Sequence, residues 1–153
     1  MTGLKADWAS HPIFEGLAPD CIEIFARTAK VEEFEPRDLI FHEGEEADRF
    51  YLVLEGTVVI QIFVNERGPV NIETVGCGEV LGWSWLVEPY RWHFDAQATV
   101  PTKLIAFNAR RVRESFESRP DFGFALMKRF LPVIVQRLQA TRLQLLDVYD
   151  VPS

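Results

Sequence analysis

The 153-residue chain is 48 % apolar, enough for one domain with a full core and too short for a second large domain. Its net charge of −7 is uneven, because residues 1–99 hold 7 basic and 18 acidic side chains while residues 100–153 hold 9 and 5. An acidic body repels phosphate backbones and the basic tail is dilute, so this distribution disfavours DNA binding.

No stretch of the sequence approaches the roughly 18 consecutive apolar residues of a membrane span. The charged residues Lys5 and Asp7 also stand where a signal peptide would be apolar. We therefore expect a cytoplasmic protein that makes no membrane contact.

The chain begins with a predicted helical part over residues 11–30. Pro19 and Asp20 precede the run CIEIFARTAK, in which apolar residues recur at helical spacing. From residue 31 to about residue 108 the pattern changes to short β-rich runs separated by glycine turns. Such runs predict an antiparallel sandwich or barrel, in which TVVIQIFV and VNIETV form a hairpin across NERG.

Residues 109–149 return to a helical pattern. The run ARRVRESFES predicts a short helix that ends before Pro120, and a long helix follows to Tyr149. Eight residues of the long helix alternate in spacing between 3 and 4, as do the a and d positions of a coiled coil. We predict a homodimer through this seam, with packing of the helix on its own domain as the alternative. The seam comprises Phe124, Met127, Leu131, Ile134, Leu138, Thr141, Leu145 and Val148.

Several motifs accompany this order of elements: FHEG at residues 41–44, FYLVLEGTV at 50–58, GCGEVLG at 76–82 and AQA at 96–98. Together they resemble the cyclic-nucleotide-binding domain of the catabolite activator protein superfamily. The resemblance implies a mainly β fold with flanking helices, namely a double-stranded β-helix (jelly roll) plus a long C-terminal dimerisation helix. It also implies that residues 1–153 form a single domain.

The segment that resembles the family's phosphate-binding cassette departs from the family pattern. In nucleotide-binding members a glutamate binds the ribose and an arginine pairs with the cyclic phosphate, a charge-assisted contact. Here the glutamate position holds Trp83, and the arginine position falls on Trp92, with Arg91 one residue earlier. A shift of one residue in a strand turns a side chain to the opposite face, so we predict weak or absent cyclic AMP binding.

The candidate ligand-binding residues come from the cassette and from the long helix. A short helix that begins at the Gly82 turn would aim backbone N–H groups at an anion, and the resemblance places a base-contacting hydroxyl at Thr141. A threonine at a d position has the alternative role of fixing coiled-coil register. The full set is Gly82, Trp83, Ser84, Arg91, Trp92, Thr141 and Arg142.

Five aromatic residues crowd into residues 83–94, and three interpretations stay open for them. Their rings form a pocket for a cyclic nucleotide or another planar or anionic ligand, since each base stacked on an aromatic ring contributes about 1–3 kcal/mol. Alternatively, they fill the volume that a nucleotide would occupy. The third interpretation is an exposed docking patch for a protein partner.

The sequence offers no catalytic or metal-binding motif. The histidines His11, His42 and His93 stand alone, and the sequence has no serine elbow or Walker-type loop. Cys21 and Cys77 lack metal-ligand spacing, which indicates free thiols. The chain also stops near where the family's transcription factors begin their DNA-binding domain. We therefore predict a non-catalytic small-ligand sensing or regulatory module, with a ligand-independent dimerisation or docking subunit as the alternative.

Overall fold

The computed structural model describes residues 8–149, so Lys5 and Asp7 lie outside the described part. Two four-stranded antiparallel sheets form the body of the protein. The first sheet has the spatial order β1 (Lys30–Phe34), β8 (Thr102–Asn108), β3 (Arg49–Glu55), β6 (Val80–Leu81). The second has the order β2 (Leu39–Phe41), β7 (Asp95–Ala98), β4 (Val58–Val64), β5 (Gly68–Val75). The predicted mainly β fold of the jelly-roll type is confirmed.

The predicted hairpin is formed by β4 and β5. The two strands pair antiparallel from Val58 opposite Val75 to Val64 opposite Gly68, and the register shifts between Ile60 and Gln61. A register shift of this kind bends the strand and increases its twist. The hairpin therefore curves beside the C-terminal helix, which contacts β5.

Three helices whose bounds lie within the described residues flank the sheets. Helix α1 (Pro19–Thr28) starts with a proline in its first turn, where the missing N–H costs nothing. Helix α2 (Ala109–Ser118) is capped by Asn108, whose side chain accepts a hydrogen bond from the Arg111 backbone N–H at 3.0 Å. Helix α3 (Pro120–Tyr149) follows directly. Helix α3 is the long C-terminal helix of the predicted fold class.

Aromatic rings join α3 to the sheets. Trp85 is fully buried and stacks on Phe50 with ring centroids 4.5 Å apart, while Phe130 of α3 meets Trp85 edge-on at 5.4 Å. Such geometries contribute about 0.5–1.5 kcal/mol each beyond the burial of the rings. These contacts fix the first half of α3 to the β-sheets.

The opposite face of α3 is left uncovered. Phe122, Leu126 and Phe130 point into the core, whereas Phe124 is 69 % exposed and Leu138 is 67 % exposed. The predicted seam residues Met127 and Leu131 are also exposed, and Ile134 and Thr141 are half-buried. The side chains of Leu145 and Val148 lie outside the described ones. The helix therefore carries an apolar stripe that its own domain does not bury.

Candidate functional site: the cassette

The cassette comprises residues 82–94 and begins where β6 ends. Gly82 has a φ of +102°, and a 3-10 turn of three residues, Ser84–Leu86, follows it. The sequence predicted the N-terminus of a short α-helix at this place. A turn of three residues aligns few peptide dipoles, so it attracts an anion much more weakly than the N-terminus of a longer helix would.

Trp92 occupies the space inside the cassette. Its indole lies on the Phe41 ring with centroids 3.7 Å apart and planes 9° from parallel, and the residue is only 5 % exposed. A Cβ placed on Gly82 would come within 2.8 Å of the indole, so glycine is needed both for the positive φ and for this close approach.

The remaining cavity beside the indole measures about 10 Å³. Sites for small molecules usually span about 300–1,000 Å³, and one water needs about 10–15 Å³. The space beside the indole is therefore about the size of one water molecule. The cavity is lined by Phe41, Ile60, Gly82, Trp83, Ser84, Trp92, Phe94 and Arg137.

The mouth of the cassette is covered by stacked rings. Trp83 is half-buried and stacks on His93 with centroids 5.1 Å apart, and Phe94 meets it edge-on at 5.9 Å. The hydroxyl of Ser84, which is buried, shares a hydrogen bond with His93 Nδ1 at 2.9 Å. These contacts fix the ring of Trp83 beside the cavity and satisfy the serine hydroxyl within the chain.

The other predicted site residues lie outside this cavity. Arg91 is exposed, and its Nη1 donates a hydrogen bond to the Gly44 carbonyl at 2.9 Å. The Thr141 hydroxyl donates to the Arg137 carbonyl at 2.8 Å, and Arg142 is exposed. The structure thus brings Gly82, Trp83, Ser84 and Trp92 together and leaves Arg91, Thr141 and Arg142 apart from them. A ligand-binding role for the set stays a prediction.

A buried ion pair joins α3 to the cassette, and the sequence interpretation missed it. Arg137 Nη1 lies 2.6 Å from Glu73 Oε2, with the two side chains 6 % and 13 % exposed. Arg137 Nη2 also donates to the Val80 carbonyl at 3.1 Å, at the start of β6. The spacing of Leu126, Phe130 and Arg137 places this arginine on the buried face of α3. A cation on an apolar face requires an acidic partner, which is the feature that would have revealed the pair.

A second arginine fixes the loop after the cassette. Arg113 of α2 donates hydrogen bonds to the carbonyls of Ala47 and Trp85, at 3.3 and 2.9 Å. Its guanidinium also lies 4.0 Å from the centre of the Tyr90 ring, a cation–π contact. Helix α2 therefore holds the loop that leads from Trp85 to Trp92.

Within residues 8–149, no group of three or more His, Cys, Asp or Glu side chains is arranged to hold a metal ion. Cys21 and Cys77 are both free thiols, the first buried and the second exposed. Burial raises the pKa of the Cys21 thiol, so it stays protonated. No helix in the described part of the chain is long and apolar enough to cross a membrane.

Comparisons with known proteins agree with this architecture. A CRP-like cAMP-activated global transcriptional regulator of Mycobacterium tuberculosis is 25 % identical over 147 residues, and the match covers 92 % of this chain and 62 % of the regulator. The crystal structure of a putative cyclic nucleotide-binding protein from Geobacter metallireducens GS-15 is 27 % identical with a TM-score of 0.75, covering 90 % and 96 % of the two chains.

A third similar protein is the regulatory subunit of a cAMP-independent protein kinase A from Trypanosoma cruzi, solved with bound guanosine. It is 25 % identical with a TM-score of 0.69, and the match covers 84 % of this chain and 45 % of that one. The family model "Cyclic nucleotide-binding domain" matches residues 31–119, which is more than half of the sequence. The protein therefore belongs to the cyclic nucleotide-binding domain family.

Proposed function

We propose that this protein is a non-catalytic regulatory module that works as a homodimer through α3. In this proposal the indole side chains of the cassette block cyclic nucleotides from entering it. The similar proteins of known description are a transcriptional regulator and a kinase regulatory subunit, which supports a regulatory role. The chain spans 62 % of the length of the mycobacterial regulator. The proposal assigns no DNA binding to this domain.

The observation that carries the proposal is the position of Trp92. Its ring stacks on Phe41 and lies against Gly82, where it leaves a cavity of only about 10 Å³. The ribose-binding glutamate of the family pattern is replaced by Trp83, and Arg91 is bound to a backbone carbonyl outside. The small cavity, the missing glutamate and the outward Arg91 support a cassette that is closed to cyclic nucleotides.

Calorimetric titration with cyclic AMP and cyclic GMP tests the closed cassette. The wild-type protein should release no binding heat at micromolar ligand. Loss of one charge-assisted contact alone costs about 1.5–3 kcal/mol, a factor of ten to more than a hundred in affinity. Submicromolar binding of either nucleotide would overturn this part of the proposal.

The homodimer is supported by the uncovered apolar stripe of α3. Phe124, Leu131 and Leu138 are each more than half exposed, and a monomer would leave all three in water. Burying such a side chain contributes about 1.5–3 kcal/mol, and several of them on one stripe suffice for a stable interface. The heptad spacing fits a second copy of the same helix.

Light scattering of Leu138→Arg tests the dimer. The substitution places a charge in the apolar seam, so the variant should be a folded monomer while the wild type is a dimer at micromolar concentration. Gln139→Arg is the matched control, because it adds the same charge at the adjacent exposed position outside the seam and should stay dimeric. A monomeric wild type, or a dimeric Leu138→Arg variant, would contradict the proposal.

A second candidate function is the sensing of a planar ligand without a cyclic phosphate. The kinase subunit that resembles this chain holds guanosine, and Trp83 of this chain presents a partly exposed ring beside the cassette. A base would stack on Trp83 after displacing Trp92 from Phe41. Titration with guanosine tests it, and binding that quenches tryptophan fluorescence at micromolar ligand would place this candidate first.

A further inference from the structure

A groove between α1 and α2 carries cationic side chains that no residue of the described part, residues 8–149, neutralises. It has a volume of about 400 Å³, and it shares no lining residue with the cassette cavity. The lining consists of Ile24, Arg27, Thr28, Asn108, Arg111 and Ser115. The groove is therefore a separate surface from the one that the proposed function uses.

Hydrogen bonds fix the floor of the groove. The Thr28 hydroxyl accepts from the Asn108 backbone N–H at 3.1 Å and donates to the Phe25 carbonyl at 3.1 Å. The Asn108 side chain in turn caps α2. Because α1 and α2 are linked before any partner arrives, binding would cost little ordering of the backbone.

Two arginines project at this groove without an acidic partner. Most arginine side chains of the described part donate to a carboxylate or a carbonyl, namely Arg49, Arg91, Arg110, Arg113, Arg119, Arg129 and Arg137. Arg27 and Arg111 are exposed and have no such contact within residues 8–149. No acidic residue lines the groove, although residues 1–99 contain 18 of them. The local charge is therefore complementary to an external anion.

A second groove adjoins the first and has a mixed charge. It measures about 270 Å³, shares Thr28 and Asn108 with the first groove, and is lined by the basic Lys30 as well as the acidic Glu32 and Asp48. Its arginines, Arg49 and Arg110, are already paired with acidic side chains. Sites for small molecules enclose at least about 70 % of the ligand, whereas these two grooves are open and adjoining. Their shape suits an extended chain, and the charge of the first groove suits carboxylates placed on Arg27 and Arg111.

We propose that this surface binds an acidic segment of a protein partner. The partner's carboxylates lie on Arg27 and Arg111, where a guanidinium forms two parallel hydrogen bonds to a carboxylate, and an apolar side chain packs on Ile24. The inference does not depend on whether the cassette is open or closed.

Fluorescence anisotropy with a labelled peptide of alternating Glu and Leu residues tests the inference. The peptide should bind saturably and more weakly as sodium chloride is added, while the same peptide with Gln in place of Glu should not bind. Arg27→Gln and Arg111→Gln should each weaken binding about two- to fivefold, the range of exposed ion pairs. Arg37→Gln is the matched control, because Arg37 is equally exposed but lies outside the groove, and it should leave the affinity unchanged.

Three results would overturn the inference. The first is that the Glu and Gln peptides bind equally well, or that neither peptide binds. The second is a loss of affinity in Arg37→Gln as large as in the groove variants, which would indicate attraction by net charge alone. The third is displacement of the peptide by micromolar succinate, which would mark a site for small dicarboxylates. Thermal melts that match the wild type show that each variant is folded, so that a lost affinity belongs to the groove.

Discussion

Removing one partner of the Arg137–Glu73 pair should destabilise the protein far more than removing both. The two side chains are 6 % and 13 % exposed, and Nη1 lies 2.6 Å from Oε2. Arg137→Met therefore leaves a carboxylate almost out of water without its cation. The only other described contact to that carboxylate is a long hydrogen bond of 3.5 Å from Gln136. Loss of one member of a buried pair costs about 3–5 kcal/mol, and we expect that range here.

The double variant Arg137→Met, Glu73→Gln separates pairing from packing. It removes both charges while keeping much of the side-chain volume, so it should be more stable than the sum of the single effects by at least about 2 kcal/mol. Urea denaturation followed by circular dichroism gives the free energies of unfolding. All variants must be compared at one protomer concentration, since dimerisation shifts apparent stability.

The exposed pair Arg110–Glu46 is the matched control for this cycle. Its side chains are 59 % and 51 % exposed, so its coupling energy should stay below about 1 kcal/mol. Single effects of the buried pair that add within about 0.5 kcal/mol would refute the assignment of a strong buried interaction. A coupling no larger than that of the exposed pair would do the same.

Three further predictions concern single positions. Gly82→Ala should destabilise by about 1–3 kcal/mol more than Gly44→Ala in urea denaturation, because both glycines have positive φ but only the first meets an indole. Iodoacetamide should alkylate Cys77, which is exposed, and should leave Cys21 unmodified, as mass spectrometry of the native protein would show. Cys21 is only 2 % exposed, and burial raises the pKa of its thiol. Hydrogen bonds from a neighbouring arginine lower the pKa of Asp121. Ionised Asp121 therefore stabilises the folded protein fully above the ordinary carboxyl pKa of about 3.9, and this stabilisation is lost as the pH falls through the lower pKa of the folded state. Acid titration of Asp121→Asn should therefore show a weaker loss of stability in that range, and an unchanged titration would contradict the assignment.

The sequence predicted the elements whose pattern is local. The hairpin of β4 and β5 follows from alternation around a turn, and α2 ends where Pro120 forbids continuation of the same helix. The heptad stripe of α3 follows from spacing alone, and the structure leaves Leu131 and Leu138 on the outside of the domain. These features depend on neighbours in the chain, so one sequence suffices to see them.

The interior of the cassette could not be predicted in the same way. Trp92 meets Phe41 across 51 positions of sequence, and its direction depends on the pairing of β2 with β7. No local rule states whether an aromatic residue in such a loop turns inward or lies on the surface. The displacement of Arg91 from the family position left its direction open, because a shift of one residue reverses the face of a strand unless the loop absorbs it. The structure has that side chain exposed and bonded to Gly44.

The contact between α3 and the cassette determines what the proposed closure means for regulation. Arg137 lines the small cavity beside Trp92 and binds the first residue of β6, and the next residue along α3 is Leu138 of the seam. A ligand that entered the cassette would have to move the indole and would thereby act on the helix that carries the proposed dimer seam. A ligand shifts a conformational equilibrium only by the difference in its affinity for the two states. Under the proposed function Trp92 keeps the cassette filled, so a cyclic nucleotide shifts no equilibrium, α3 keeps one position, and the seam is constitutively presented.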